Sequence, residues 1–311
     1  MSEKKLIVSS SPHLRSHTTV QTVMGDVLIA LVPAMIAAFY FFGLQAVMVV
    51  AVCVLSCVLS EALCQKAMNR TSTIKDLSAV VTGLLLAFNL PPTVPLWLAA
   101  VGGVFAIIVV KQFFGGIGQN IVNPALAARA VLLASWPVSM TTWTIDGVST
   151  ATPLALLKEG TLSSLPSLTD VFIGHVGGCI GETSALALLL GGAYLLFRKV
   201  ISWHIPVVYI ATVFVLTAIL GRDGFMSANP LYEIFLGGLM LGAFFMATDY
   251  TTSPMTKQGQ VIFALGCGVL TTLIRLYGGY AEGVSYSILI MNLFVPLIDR
   301  VTVPRIFGEV R

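Results

Sequence analysis

Ten apolar stretches, each 15 to 28 residues long, follow one another along this chain with short polar breaks between most of them. Crossing the hydrocarbon core of a bilayer as a helix takes about 20 mostly apolar residues. Lipid offers no partner to a bare backbone N–H or C=O, so such stretches must form helices. The stretches run over 23–43, 45–64, 76–90, 95–112, 122–136, 171–198, 204–221, 229–247, 258–276 and 281–298. Charged residues make up only 10% of the 311-residue chain and hydrophobic ones 57%, whereas a soluble domain carries about 25% charged residues. The expected class is therefore an all-α integral membrane protein with the bilayer as its solvent and no affinity for nucleic acid.

Two stretches depart from the simple pattern. The third ends at Asn89-Leu90-Pro91-Pro92 and is predicted to stop before it crosses. The sixth is too long for one span and contains Gly174, Gly177, Gly178 and Gly181. It is predicted to begin as a surface or re-entrant piece and to cross only from about 183 to 198. A short internal match joins the two halves: Lys111-Gln-Phe-Phe-Gly-Gly-Ile-Gly after the fourth stretch resembles Ile274-Arg-Leu-Tyr-Gly-Gly-Tyr-Ala after the ninth. A five-helix unit repeated once must invert in the membrane. Ten spans as two inverted five-helix repeats, with short or broken half-helices, is the architecture expected.

Orientation follows from the basic residues, because cytoplasmic loops retain Lys and Arg. With the N-terminus inside, 13 of the 17 Lys and Arg fall on the cytoplasmic side. Arg129 lies within the fifth stretch, and only Lys158, Arg222 and Arg275 remain for the far side. No cleavable signal peptide is expected, since the chain stays polar to about Gln21 without a small-residue cleavage site. The resulting domains are a cytoplasmic N-terminal segment at 1–22, a first repeat at 23–136, an extracytoplasmic loop at 137–170, a second repeat at 171–298 and a cytoplasmic tail at 299–311.

The most chemically specific residues lie in that loop: Asp146-Gly-Val-Ser149-Thr150-Ala151-Thr152-Pro153. A threonine hydroxyl on an exposed loop can be presented to a modifying enzyme, and Pro153 keeps Thr152 out of helical conformation. Taken alone, the stretch also reads as a Ser/Thr-rich loop closed by a proline turn. Trp136 and Trp143 flank its start, where interfacial aromatics are expected.

Asp146, Ser149, Ala151 and Thr152 resemble the acceptor motif of the RnfD/NqrB family, the membrane flavin subunits of two respiratory complexes. One is the Rnf ferredoxin:NAD oxidoreductase and the other the sodium-pumping NADH:quinone oxidoreductase. The resemblance widens to Asn120-Ile-Val-Asn123-Pro124-Ala-Leu-Ala-Ala-Arg129 and Met246-Ala-Thr-Asp249-Tyr-Thr-Thr-Ser-Pro254, and so covers most of the chain. It implies FMN esterified to Thr152 by a flavin transferase, and suggests a second, non-covalent flavin (riboflavin) among the helices. It further implies electron transfer between ferredoxin and NAD coupled to Na+ or H+ movement in the bacterial cytoplasmic (inner) membrane. The implied neighbours are RnfG, with its own covalent FMN, and RnfA, RnfB, RnfC and RnfE. Thr150 stands where the sodium-pumping relative usually has glycine, and the first span begins about twenty residues in rather than after an extended N-terminal region. Both features point to the Rnf member of the family. The NqrB component of the sodium pump and a passive transporter resembling urea channels are the alternatives, the second because a helix pattern alone does not choose a function.

Polar groups inside a membrane are costly and mark functional candidates. Asn123 is expected to cap a helix with Pro124 at its first position. Together with Arg129 and Asp249, it is a candidate for lining a cofactor or ion path, and Arg129 requires a carboxylate or a flavin's polar edge as partner. Asp26, Glu61, Asp76, Glu282 and Asp299 lie near helix ends, where solvated or capping roles are expected. Cys53, Cys57 and Cys64 share one helix face without a CxxC or a fourth ligand, and read as buried apolar thiols. The four histidines show no ligand spacing, and no phosphate loop, dinucleotide fingerprint, iron–sulfur pattern or metal site is expected.

Overall fold

The computed structural model describes residues 18–145, 148–149, 152–158, 166–221, 230–279 and 282–303. The chain is a helical membrane protein. Helix α1 (Val20–Ala67) is interrupted at Gly43, whose φ of 61° and ψ of −145° lie outside helical space. Glycine is the residue that adopts this conformation without a Cβ penalty, so the first two apolar stretches meet at one residue rather than at a loop. Helices α2 (Ser78–Phe88), α3 (Leu96–Phe105, continuing as a π-helix over Ala106–Gln112) and α4 (Pro124–Ser135) complete the first half. A short α5 (Pro137–Thr141), the strands β1 (Thr144–Ile145) and β2 (Val148–Ser149), and α6 (Pro153–Lys158) form the connecting segment. The second half contains α7 (Leu168–Ile173), α8 (Ala185–Phe197), α9 (His204–Leu220), α10 (Pro230–Phe235), α11 (Leu239–Leu241, continuing as a π-helix over Gly242–Met246), α12 (Lys257–Tyr277) and α13 (Val284–Thr302).

Among the described residues, three helices are long and apolar enough to cross a membrane: α1, α12 and α13. Five shorter apolar helices accompany them. α1 packs on α2, α3 and α8, and α12 packs on α9 and α13. Polarity is arranged for lipid rather than water. Leu55, Leu59 and Leu63 lie exposed along α1, while Glu61, Lys111, Arg129, Glu233 and Arg275 are buried. β1 and β2 pair antiparallel, with Thr144 opposite Ser149 and Ile145 opposite Val148. This ribbon is a small departure from the all-helical expectation.

The third stretch stops short, as its Asn-Leu-Pro-Pro end predicts. α2 has 11 residues, which at ~1.5 Å per residue span about half of a 30 Å hydrocarbon core. The sixth stretch divides into α7, an irregular segment from 174 to 184, and α8. These interruptions satisfy one another. The N–H of Ile180 donates to the Leu90 carbonyl and the N–H of Gly181 to the Phe88 carbonyl, both at 3.0 Å. Non-helical backbone is tolerated at membrane depth where the protein itself supplies such partners. The eighth stretch is broken too, at Gly237, whose φ is 69°.

Cys53 and Cys57 are buried thiols, as expected, whereas Cys64 is half-buried. Gly181 is required by the close approach of the two irregular segments, since a Cβ there would lie 2.3 Å from Cβ and Cγ of Phe88. Gly181→Ala is expected to destabilise the protein by about 1–3 kcal/mol through overpacking. Thermal unfolding in detergent should show a lowered Tm, while Gly25→Ala, where a Cβ meets nothing within 4 Å, should not.

Candidate functional site

Helix α4 carries Arg129 into the interior beside small residues. Ala125 and Ala128 are fully buried, which lets neighbouring elements approach closely. The Arg129 guanidinium is then met by five side chains from three elements. Nη1 donates to Glu182 Oε1 at 3.2 Å, to Asn89 Oδ1 at 3.0 Å and to Ser285 Oγ at 2.9 Å. Nη2 pairs with the Glu282 carboxylate and donates to Cys179 Sγ. Asn89 comes from the end of α2, Cys179 and Glu182 from the irregular segment before α8, and Glu282 and Ser285 from the start of α13.

Arg275 supports this arrangement from behind. It is fully buried in α12, pairs with Glu233, and donates to the backbone carbonyls of Glu233, Leu236 and Glu282. One side chain thus ties the end of α10 to the turn that presents Glu282. Gly237 and Gly238 give these groups room: a Cβ on Gly238 would lie 2.5 Å from Glu182 Oε1, and one on Gly237 3.3 Å from Arg275 Nη2.

Thr152 faces the same place. Its Oγ1 accepts from the Ala155 N–H at 3.2 Å, making it the cap of α6 with Pro153 at the first helical position. Leu154 packs on Val171, Val176 and Leu236, and the Lys158 ammonium donates to the Gly278 carbonyl. These contacts press the segment against the helices, so Thr152 is buried rather than exposed. The expectation of an exposed acceptor is corrected accordingly. A cavity of about 350 Å³ opens beside it, lined by Thr152, Arg129, Glu282, Ser285, Trp143 and Tyr286 among others.

The remaining candidates divide. Asn123 caps α4, accepting from the N–H groups of Ala125 and Leu126, with Pro124 at the first helical position, as expected. Asp249 accepts from the hydroxyls of Thr251 and Thr252 at 2.9 and 3.2 Å, and Asn120 Nδ2 donates to Thr251 Oγ1. Asn123 and Asp249 therefore line a second, separate cavity of about 90 Å³ with Lys111 and Ser78. Asp146 and Ala151 lie outside the described residues, and Ser149 is described only through its backbone in β2.

A model of the NQR2, RnfD, RnfE family matches residues 7–308. The chain belongs to this family. Its relatives resemble it along nearly their whole length. The D component of the Na+-translocating ferredoxin:NAD+ oxidoreductase complex of Acetobacterium woodii is 55% identical over 99% of this chain and 97% of its own. The D component of the proton-translocating ferredoxin:NAD+ oxidoreductase complex of Clostridium ljungdahlii is 47% identical over 98% and 96%. The D component of the ion-translocating oxidoreductase complex of Aliivibrio salmonicida is 36% identical over 97% and 98%.

Several charged residues escape a sequence reading. Glu61 and Glu282 lie near helix ends, yet Glu61 is fully buried against Lys111 at 2.9 Å and Glu282 joins the Arg129 group. Arg275 counts as a loop charge by position, but its place within an otherwise apolar helix was the signal of burial. Asp76 accepts from the N–H and hydroxyl of Ser78, the first residue of α2. Arg129→Met is expected to leave Glu182 and Glu282 without their cation. Breaking a buried pair this way costs about 3–5 kcal/mol, so the variant should unfold at a clearly lower temperature and yield less folded protein by size-exclusion chromatography.

Proposed function

We infer that this chain is the D component of an ion-translocating ferredoxin:NAD+ oxidoreductase (Rnf) complex, and that Thr152 carries FMN through a phosphoester. The first assignment rests on identities of 55% and 47% to two such proteins over nearly the whole chain. The single observation that carries the flavin assignment is that Thr152 borders a 350 Å³ cavity holding a paired guanidinium and two aromatic side chains. A flavin would supply electron transfer there, and the protein's part is to position and tune it. Thr152 would serve as the tether. Trp143 and Tyr286 offer apolar surface to a planar ring, and Arg129 offers guanidinium N–H donors held in place by its carboxylate partners.

We read the fold as two inverted repeats, a reading supported by matching positions in the two Gly-Gly segments. Gln112 in the first donates to buried Glu61 at 2.8 Å, and Arg275 in the second donates to buried Glu233 at 3.3 Å. The excess of Lys and Arg on the side of the N-terminus supports an orientation with both termini cytoplasmic and Thr152 extracytoplasmic. RnfA, RnfB, RnfC, RnfE and RnfG are the neighbours this reading requires. The urea-channel alternative rested on helix pattern alone and gains nothing from the family match.

In-gel fluorescence of the denatured protein tests the tether. Wild type co-expressed with an active flavin transferase should fluoresce, and Thr152→Ala should lose the signal entirely. A dark wild-type band, or a mutant as bright as wild type, would remove Thr152 from this role.

A further inference from the structure

Beside the Thr152 cavity, the buried charges do not balance. Arg129 contributes one positive charge, and Glu182 and Glu282 each bring a carboxyl group. The other cation in contact, Arg275, reaches Glu282 only through its backbone carbonyl and is paired with Glu233. Cys179 adds a thiol, and Asn89 and Ser285 are neutral. Among the described residues, the facing groups on α2, α4, α10, α12, the 174–184 segment and the start of α13 therefore leave one carboxylate in excess. An uncompensated charge removed from water costs several kcal/mol, and the usual relief is to take up a proton.

The geometry shows where it would go. Glu182, Glu282 and Cys179 present ligand atoms that all lie within 4.8 Å of one another. Glu182 is 4% exposed, and its Oε2 has no hydrogen-bond partner among the described residues. Two carboxyl groups sharing one site do not both ionise readily; one keeps its proton. A metal cation is disfavoured in the same place, because the guanidinium already stands against both carboxyls.

We propose that Glu182 and Glu282 form an acid–carboxylate pair that holds one proton and exchanges it with the redox group in the adjoining cavity. This rests on the flavin reading of Thr152. A flavin held by Thr152 would supply the electron-transfer chemistry, taking electrons from the complex's reduced donor, and the pair's part would be to break its O–H bond and release that proton toward it. Both carboxyls are then ionised around Arg129. When the electrons leave, the proton returns. Glu282 is the member that lines the larger cavity, and Glu182 lines, with Thr152 and Glu282, a smaller one of about 20 Å³.

Infrared spectroscopy of the full-length chain in detergent tests the proton without any flavin. In a Thr152→Ala background, a carbonyl-stretch band of a buried carboxylic acid is expected near neutral pH. It should vanish in both Glu182→Gln and Glu282→Gln, because the remaining carboxylate then faces Arg129 alone. These substitutions keep side-chain volume, and a retained size-exclusion profile verifies folding. No band in the parent chain, or a band that survives either substitution, overturns the shared proton. In the flavin-loaded complex, the band should be lost on reduction and restored on reoxidation; a band indifferent to reduction overturns the exchange. Because the first measurement needs no flavin, failure of the Thr152 assignment leaves it standing, and the two readings fall separately.

Discussion

Two backbone hydrogen bonds, from Ile180 to Leu90 and from Gly181 to Phe88, are what the interior depends on. Lipid forbids unpaired peptide groups, so a helix that stops at mid-membrane is possible only when another interrupted segment meets it. α2 stops at Phe88 because Asn89-Leu90-Pro91-Pro92 does not continue a helix, and the segment before α8 turns where glycines let backbone approach backbone. The meeting of these two ends brings Asn89, Cys179 and Glu182 to one point, and α4 delivers Arg129 to it.

Charge follows the same logic. Each of three buried cations sits among acceptors from separate elements: Lys111 with Glu61 and Ser78, Arg129 with Glu182, Glu282, Asn89 and Ser285, and Arg275 with Glu233 and three carbonyls. Buried ion pairs add little net stability over a well-packed apolar core, yet removing one member is severe. Their effect here is to fix the mutual placement of helix ends. The Arg129 group differs from the other two because its carboxyls outnumber its cation, and it is also the group that borders the larger cavity.

Much of this was legible in the chain. The apolar stretches gave the class, because no soluble fold tolerates so much apolar surface. The short third stretch, the divided sixth and the Asn123–Pro124 cap follow from local rules about proline, glycine and helix starts. Thr152 was singled out by its motif, and Arg129 by the cost of a guanidinium in a span. Glu61, Glu182, Glu233 and Arg275 were not recognised as buried, because position near a helix end does not tell which end is covered by other elements. Thr152 itself was expected on the surface and is held inside by Leu154 packing against Val171, Val176 and Leu236.

The sequence by itself determined that the chain lives in a membrane, where its helices break, and which hydroxyl is singled out, since these depend on local composition and chain stereochemistry. Only the tertiary structure decided that Glu182 and Glu282, 100 residues apart, converge on one guanidinium, and that this group shares a cavity with Thr152. Convergence of that kind depends on which interrupted backbone pairs with which, and that choice is made by long-range packing and hydrogen bonding rather than by any local run of residues.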